Sequence, residues 1–486
     1  MPVNTGVPTS LRRPQTFHKF AYQIGGRALT PLPQRTVLIG TFKAGTAVAS
    51  TIYPINDAPE TDGLFSIGPP MALMCRQGFA TAALIGFGPQ FFAVPVAENG
   101  AGVAKTETFT LTGSATVSDN LIVRIAGRTV TVPVNVGDAA NPTVALALAN
   151  AINTQNLVMP GTASASLGVT TFTASTKGVW GQDIAFSVDR VPAGLTCVAA
   201  QGVAGTGVQD ETAALAAIAG VDYDTIALEN HNTTSVALAL AHVTVAWGLS
   251  EKKWRFVIYG ETGTIGTATT LASAANDKGI VVGNCEASPS LCAEIATSLA
   301  VAITAKSRPN GNWDGQELPV YPPTDAFAFT NTEQETAIAA GITPLVPVVN
   351  PTTRVAKANV CAIVKMTTTQ TTLGGQPFEG LKDLAVPRAG AFIARQLDAK
   401  YAERFGPTAN PDGVLLDDDA IPRIKDLAAA VLYAAQDAKI LVNVDVDLAK
   451  LVIEKDPSAP GRINVDVTYT VVLGLHQVAF VHRVTI

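Results

Sequence analysis

The residues best suited to chemistry in this chain lie apart, and spacing denies each the usual partners. Gly260, Gly263 and Gly266 follow the apolar run Trp254 to Tyr259, where an open α/β sheet can bind a phosphate. Their spacing is neither GxGxxG nor a P-loop, and the P-loop lysine is missing, so they read as a plain strand-to-helix turn. The histidines His18, His231, His242, His476 and His482 include no HExxH pair. Cys285 and Cys292 flank a helix start without the two-residue spacing of zinc pairs, and an ordinary buried role is expected. Asp417, Asp418 and Asp419 lack the glycine and terminal glutamate of a calcium loop; helix capping with favourable charge explains them better. Asp224, His231 and Ser273 are the types of a catalytic triad, but there is no GxSxG elbow or comparable nucleophile context. The expectation is no catalytic residue, no metal and no cofactor.

A different signal stands at the C-terminus. Ile463, Val465, Val467, Tyr469 and Val471 alternate with polar residues, the period of a half-buried strand. Val478, Phe480, Val484 and Ile486 repeat the pattern, with His482 on the same side as a core or interface residue. Such a strand either closes its own sheet or pairs with an open edge on another molecule. Intersubunit strand exchange through Ile463, Val465, Val467, Val478, Phe480, His482, Val484 and Ile486 is therefore the leading hypothesis.

The elements before it fall into blocks. Residues 1–35 are polar, carry five prolines and show no sustained period, as in an arm. Strands are expected at Val37 to Phe42 and Phe91 to Ala97, then a run of short Thr- and Val-rich strands from about Lys105 to Val188. One helix interrupts that run, with Asn141 as N-cap, Pro142 at N1, and Val144, Leu148 and Ile152 on one face. After the Gly-rich segment Ala200 to Gly207, helices alternate with strands at Thr225 to Leu228, Trp254 to Tyr259 and Gly279 to Gly283, and a helix begins near Ser288. That rhythm implies a parallel sheet covered on both faces. Helices at Ala389 to Phe405 and Ile421 to Asp437 come next, then strands around Ile440 to Val446, Arg462 to Val472 and Val478 to Ile486. The expected fold is an α/β core with a mainly parallel sheet (36–103 plus 203–365), an inserted antiparallel β-rich domain (104–202) and an α+β C-terminal domain (366–486).

Composition narrows the class. At 486 residues there is room for about three domains. Charged residues are 15% of the chain, against about 25% in ordinary globular domains, which fits surfaces buried in assembly. A net charge of −6 with no Lys/Arg block argues against nucleic acid. No apolar run spans a bilayer, no secretory signal is evident, and five irregularly spaced cysteines fit reduced thiols in a cytoplasm.

Eight stretches, in order, resemble the contractile tail sheath proteins of bacteriophages, most closely those of Mu-like phages. They are RTVLIGTF from Arg35, FSIGPPMALMC from Phe65, IVRIAGRTVTVPVNVGD from Ile122, YDTIALENHN from Tyr223, SRPNGNWDGQELPVYPP from Ser307, NVCAIVKMTTTQTT from Asn359, LAVPRAGAFIARQLDAKYAERF from Leu384, and DPSAPGRINVDVTYTVVLGLHQVAFVHRVTI from Asp456. The resemblance implies a core of subtilisin-like fold without protease activity, and no Asp-Ser/Thr-Gly, His-Gly-Thr or Gly-Thr-Ser-Met segment is present. It further implies a non-enzymatic virion subunit, made in the host cytoplasm, that polymerises with itself in stacked six-fold rings. Its other implied partners are the tail tube, baseplate and tail terminator proteins. Contraction would drive the tube through the host envelope during genome delivery, with terminal arms donating strands to neighbours. The two helices of the C-terminal domain are the candidates to face the tube. One departure is Ser307 to Pro323, which is not the DPARPL-type segment common in the family. The sheath of a phage-like bacteriocin or other contractile injection system is the alternative within this class. An α/β hydrolase or nucleotide-binding enzyme is the alternative outside it.

Overall fold

The computed structural model describes residues 29, 31–248, 250–324, 328–350, 352, 355–405, 420–457 and 462–473. They fall chiefly into two compact units, 32–392 and 393–472. The arm before residue 29, the turn at Asn410 to Gly413, the Asp417 to Asp419 run and the strand at Val478 to Ile486 lie outside the described residues.

The first unit begins with β1 (Arg35–Thr41), whose residues from Thr36 onward are all buried. It continues through β2 (Tyr53–Ile55), α1 (Glu60–Phe65), α2 (Pro70–Ile85) and β3 (Gln90–Val96). The helix α2 carries Pro70 at its first turn and stops at Gly86, whose φ of 77° is left-handed and open to glycine. Sequence periodicity had marked no helix there. Arg76, Gln77 and Thr81 are its only polar side chains and nine of its sixteen residues are buried, so no continuous polar stripe announces it.

The chain then leaves the core for β4 (Thr106–Gly113), β5 (Asp119–Ile125), β6 (Arg128–Val134), α3 (Ala145–Thr154), β7 (Gly161–Ser166), β8 (Val169–Ala174), β9 (Phe186–Arg190) and β10 (Leu195–Gln201). These make two antiparallel sheets, β10-β4-β8-β7 and β6-β5-β9, closed around Phe109, Phe172 and Leu121, with α3 supplying Val144 at its start and Leu148 and Ile152 from its buried face. A π-helical turn precedes α3, and Asn141 sits there in extended backbone without a side-chain cap bond. Entry and exit of this region are paired by an antiparallel bridge between Val103 and Thr206.

Back in the core come α4 (Thr212–Ala217), β11 (Thr225–Leu228), α5 (Thr233–Ala246), β12 (Phe256–Glu261), α6 (Ile265–Ala275), β13 (Ile280–Asn284), α7 (Cys292–Ala305), β14 (Glu317–Leu318), α8 (Asn331–Ala339), β15 (Ile342–Val349) and β16 (Ala356–Ile363). The nine-stranded sheet runs β14-β16-β15-β13-β12-β11-β1-β3-β2. Its six central strands are parallel, and β2 and β16 pair antiparallel at the flanks. Strands β11, β12 and β13 are buried at every position, which explains why they are apolar except at their ends, where Thr225, Glu261 and Asn284 stand.

Beneath them lies α7, buried at every residue from Cys292 to Thr304. Its hydroxyls are satisfied within the helix, Thr297 donating to Ala293 O at 2.8 Å and Ser298 to Glu294 O at 2.9 Å. Close approach is possible because Gly260 and Gly283 face it. A Cβ at Gly260 would stand 2.1 Å from the Cys292 carbonyl oxygen, and one at Gly283 would stand 2.0 Å from Leu299 Cδ1.

The chain continues through a small hairpin, β17 (Thr372–Leu373) with β18 (Gln376–Pro377), into α9 (Ala385–Phe405). The second unit holds the rest of α9, then α10 (Ala420–Asp437), β19 (Leu441–Val442), α11 (Val444–Leu448), β20 (Val452–Lys455), β21 (Ile463–Asp466) and β22 (Thr470–Val471). Strand β19 pairs with β22 and β20 with β21, both antiparallel. Two expectations need correction. The strand at Ile440 to Val446 ends at Val442, because Asn443 takes φ 57° and Asp445 and Asp447 open a short helix. The strand at Arg462 to Val472 is two pieces, and the Asp447 carboxylate accepts the Thr470 N–H at 2.9 Å where the second begins.

Candidate functional site

The densest polar chemistry sits at the carboxyl ends of β11 and β12, where open α/β sheets place their ligands. Four elements converge there: the loop after β11 brings Glu229, Asn230 and His231, the end of β12 brings Glu261, the first residue of α7 is Cys292, and a 3-10 turn of the inserted region ends at Asp183. The His231 ring lies between two carboxylates. Nδ1 is 2.9 Å from Glu261 Oε2, and Nε2 is 3.2 Å from both Asp183 oxygens. Burial disfavours the imidazolium, but interaction with Cys292 and with the Asp183 carboxylate outweighs it and raises the ring well above its ordinary value. Burial likewise opposes ionisation of Glu261, yet hydrogen bonding from His231 holds it below its usual value. Burial, with the Asp183 charge behind it, pushes the Cys292 thiol up to about 11.

Two further carboxyls lie deeper. Glu229 accepts the Thr41 N–H, and Glu211 accepts from Asn230 Nδ2 at 3.0 Å and from Ser235 Oγ. Burial raises Glu229 to about 8 and Glu211 to about 7. No cation offsets them among their hydrogen-bond partners, so both fold most easily as neutral acids.

The glycine turn does not cradle a phosphate. Gly260 is small to admit α7, and the Gly263 N–H donates to Glu261 Oε1 at 2.7 Å, so an anion already occupies the position. Thr264 Oγ1 caps α6 through the Thr267 N–H. Nor is the triad assembled. The Asp224 carboxylate is 2.8 Å from Arg388 Nη2, both side chains being almost wholly buried, while Ser273 is exposed on α6 and His231 faces Asp183 and Glu261. Arg388 also donates to Lys306 O at 3.0 Å and Arg308 O at 3.1 Å, and its guanidinium lies 5.7 Å from the centre of the Trp313 ring. His242 stands beside Arg255 and is lowered to about 4 by burial and that charge. Cys285 is a buried thiol 3.8 Å from Cys361 Sγ.

Of the strand-exchange residues, Ile463 and Val465 lie on β21 and Val467 just after it. Ile463 and Val467 are half-buried, and Val465 is 41% exposed. Val478, Phe480, His482, Val484 and Ile486 lie outside the described residues. The Asp183, His231 and Cys292 grouping was missed in the sequence because Asp183 and His231 stand 48 positions apart, in different structural regions. No helix among the described residues is long and apolar enough to cross a membrane.

In structure the chain is similar to tail sheath proteins. A sheath tail protein of Desulfitobacterium hafniense aligns over 94% of this chain and all of its own, at 14% identity and a TM-score of 0.49. A sheath tail protein of Listeria innocua aligns over 92% of this chain and 96% of its own, at 13% identity and a TM-score of 0.48. A chain of the anti-feeding prophage baseplate aligns over 98% of this chain and all of its own, at 10% identity and a TM-score of 0.48. No family model and no curated protein sequence matches the chain.

Proposed function

We propose that this protein is the structural subunit of a phage contractile tail sheath, polymerising in six-fold helical rings around a tail tube and contracting to drive the tube through the host envelope. The observation that carries the reading is the ordered set of sheath-like stretches across nearly the whole sequence. Three of them meet at one buried point: Asp224 of YDTIALENHN pairs with Arg388 of LAVPRAGAFIARQLDAKYAERF, which caps the carbonyl of Arg308 in SRPNGNWDGQELPVYPP. The stretches thus coincide with residues that hold the core together.

The C-terminal unit supports the assembly half of the reading. Among the described residues its sheets are two-stranded, and such ribbons are marginal alone. Val452 and Val465 stand 50% and 41% exposed on β20 and β21. A donated strand from a neighbour would cover such side chains and use an open backbone edge. Strand pairing of this kind tethers subunits while their globular parts rotate. Contraction then needs no nucleotide, the extended lattice being a trapped state that relaxes to one with more contacts.

Negative-stain electron microscopy of the purified chain, over a range of concentration and salt, tests the proposal. Hollow tubes with a regular axial repeat are expected. Persistent monomers, both alone and when co-expressed with the cognate tube protein, would overturn it. Removal of residues 479–486 is expected to leave a folded subunit that does not polymerise; normal tubes from that truncation would sink the strand-exchange mechanism.

A further inference from the structure

We propose that Asp183, His231 and Cys292 form a binding site for a zinc-class divalent ion, which fastens the inserted β-rich region to the α/β core. One carboxylate oxygen, one imidazole nitrogen and one thiol sulfur lie within 4.8 Å of one another. A four-coordinate ion with bonds of about 2.0 to 2.3 Å holds its donors roughly 3.3 to 3.8 Å apart. His231 Nε2 is already 3.2 Å from both Asp183 oxygens, close to that spacing, and the Cys292 sulfur, within 4.8 Å, would draw in to complete it.

The second ring nitrogen strengthens the case. Nδ1–H points at Glu261 Oε2, 2.9 Å away, and Glu261 is itself anchored by the Gly263 N–H. A carboxylate on the far nitrogen is the arrangement that orients a metal-bound histidine and leaves its Nε2 lone pair toward the ion. Two anionic donors, a carboxylate and a thiolate, offset the charge of a dication. Mixed nitrogen, sulfur and oxygen ligation favours zinc over magnesium or calcium. A groove lined by His231, Asn232, Thr233, Glu261 and Thr264 opens beside the ring, and the His231 and Asp183 side chains are 23% and 13% exposed, so water is the natural fourth ligand.

A simple ion triad would also put His231 between Asp183 and Glu261, with the Cys292 sulfur left to its contact with Thr262 Oγ1 at 3.5 Å; a metal site would instead draw that sulfur to the ion as a thiolate. The thiol is what separates the two arrangements. Asp183 belongs to the inserted region, whereas His231, Glu261 and Cys292 belong to the core, so an ion here adds to ties such as the Arg128–Glu294 ion pair, the Ser175 hydroxyl on Gly68 O and the Lys177 N–H on Glu98.

The full-length chain, stripped with chelator, is titrated with Co(II) and then with Zn(II). One cobalt per chain is expected, with intense visible bands of tetrahedral geometry and a thiolate-to-cobalt charge-transfer band, all displaced by zinc. Cys292→Ser should abolish the charge-transfer band, Asp183→Asn should weaken cobalt binding at least tenfold, and Cys197→Ser should change neither. Absence of the band in the native chain, or its survival in Cys292→Ser, would overturn the proposal. Should Cys292→Ser fail to fold by circular dichroism, Asp183→Asn decides: unchanged cobalt affinity in that variant refutes the site. These readouts do not depend on polymerisation, so they stand or fall separately from the sheath reading.

Discussion

The parallel sheet of the first unit and the paired strands of the second treat apolar residues in opposite ways. Strands β11, β12 and β13 are buried at every position and α7 is enclosed almost from end to end. In β20 and β21 no residue is fully buried. The first unit completes its own core, and part of its buried polarity is tied up in pairs such as Asp224 with Arg388. The second carries strand-forming residues that its described partners do not cover. The proposed strand exchange between subunits would use that difference, a neighbour's strand covering the side chains that the second unit leaves exposed.

The strongest way to break the first half of that contrast is at the buried ion pair. Arg388→Ala leaves Asp224 charged and uncompensated, and is expected to cost about 3 to 5 kcal/mol in denaturant unfolding of the full chain. Replacing both partners with apolar residues of similar volume should restore most of the loss; a single variant within 1 kcal/mol of wild type would show that the pair carries no such burden.

A smaller effect is expected at Glu211. Its folded value of about 7 lies above the ordinary 4.5, so between those pH values the native state keeps a proton the unfolded chain has released. Stability therefore falls as pH rises through that window. Glu211→Gln removes the charge while its amide oxygen still accepts from Asn230 Nδ2 and its amide N–H can donate to Ser235 Oγ. It should gain about 2 to 3 kcal/mol over wild type at pH 8 and almost nothing at pH 4, as read from denaturation at the two pH values. Parallel pH profiles for the two chains would contradict the burial argument.

The smallest change in stability sharpens the other half. Val465→Lys alters an exposed side chain and should move monomer stability by no more than about 0.5 kcal/mol. Yet a lysine on an open strand disfavours edge pairing, and tube yield in sedimentation should drop sharply. Tubes at wild-type yield would remove Val465 from the proposed contact.

What could be read beforehand follows from how local each signal was. The strand at Thr225 to Leu228 was read to the residue, because four buried residues stand between turn signals. The helix read from Ser288 starts instead at Cys292. The Ser288 hydroxyl donates to Tyr321 O and the Ser290 hydroxyl accepts the Tyr321 N–H, so both serines hold a distant loop rather than cap. Glycines at 260 and 283 looked like turn or strand residues until α7 lay against them. The His231 cluster was not legible at all, since its members meet only after the inserted region folds back on the core. Local pattern found the strands, and tertiary approach made the site.

The bridge between Val103 and Thr206 has an architectural consequence. A region of about a hundred residues leaves and re-enters the core through a doorway whose jambs are hydrogen-bonded to each other, and beyond it side chains of the region pair with the core. Closure entropy grows only slowly with length, roughly 0.6 kcal/mol per doubling. The doorway therefore holds the two ends of the region together at little entropic cost, while the contacts beyond it fit the region to this particular core.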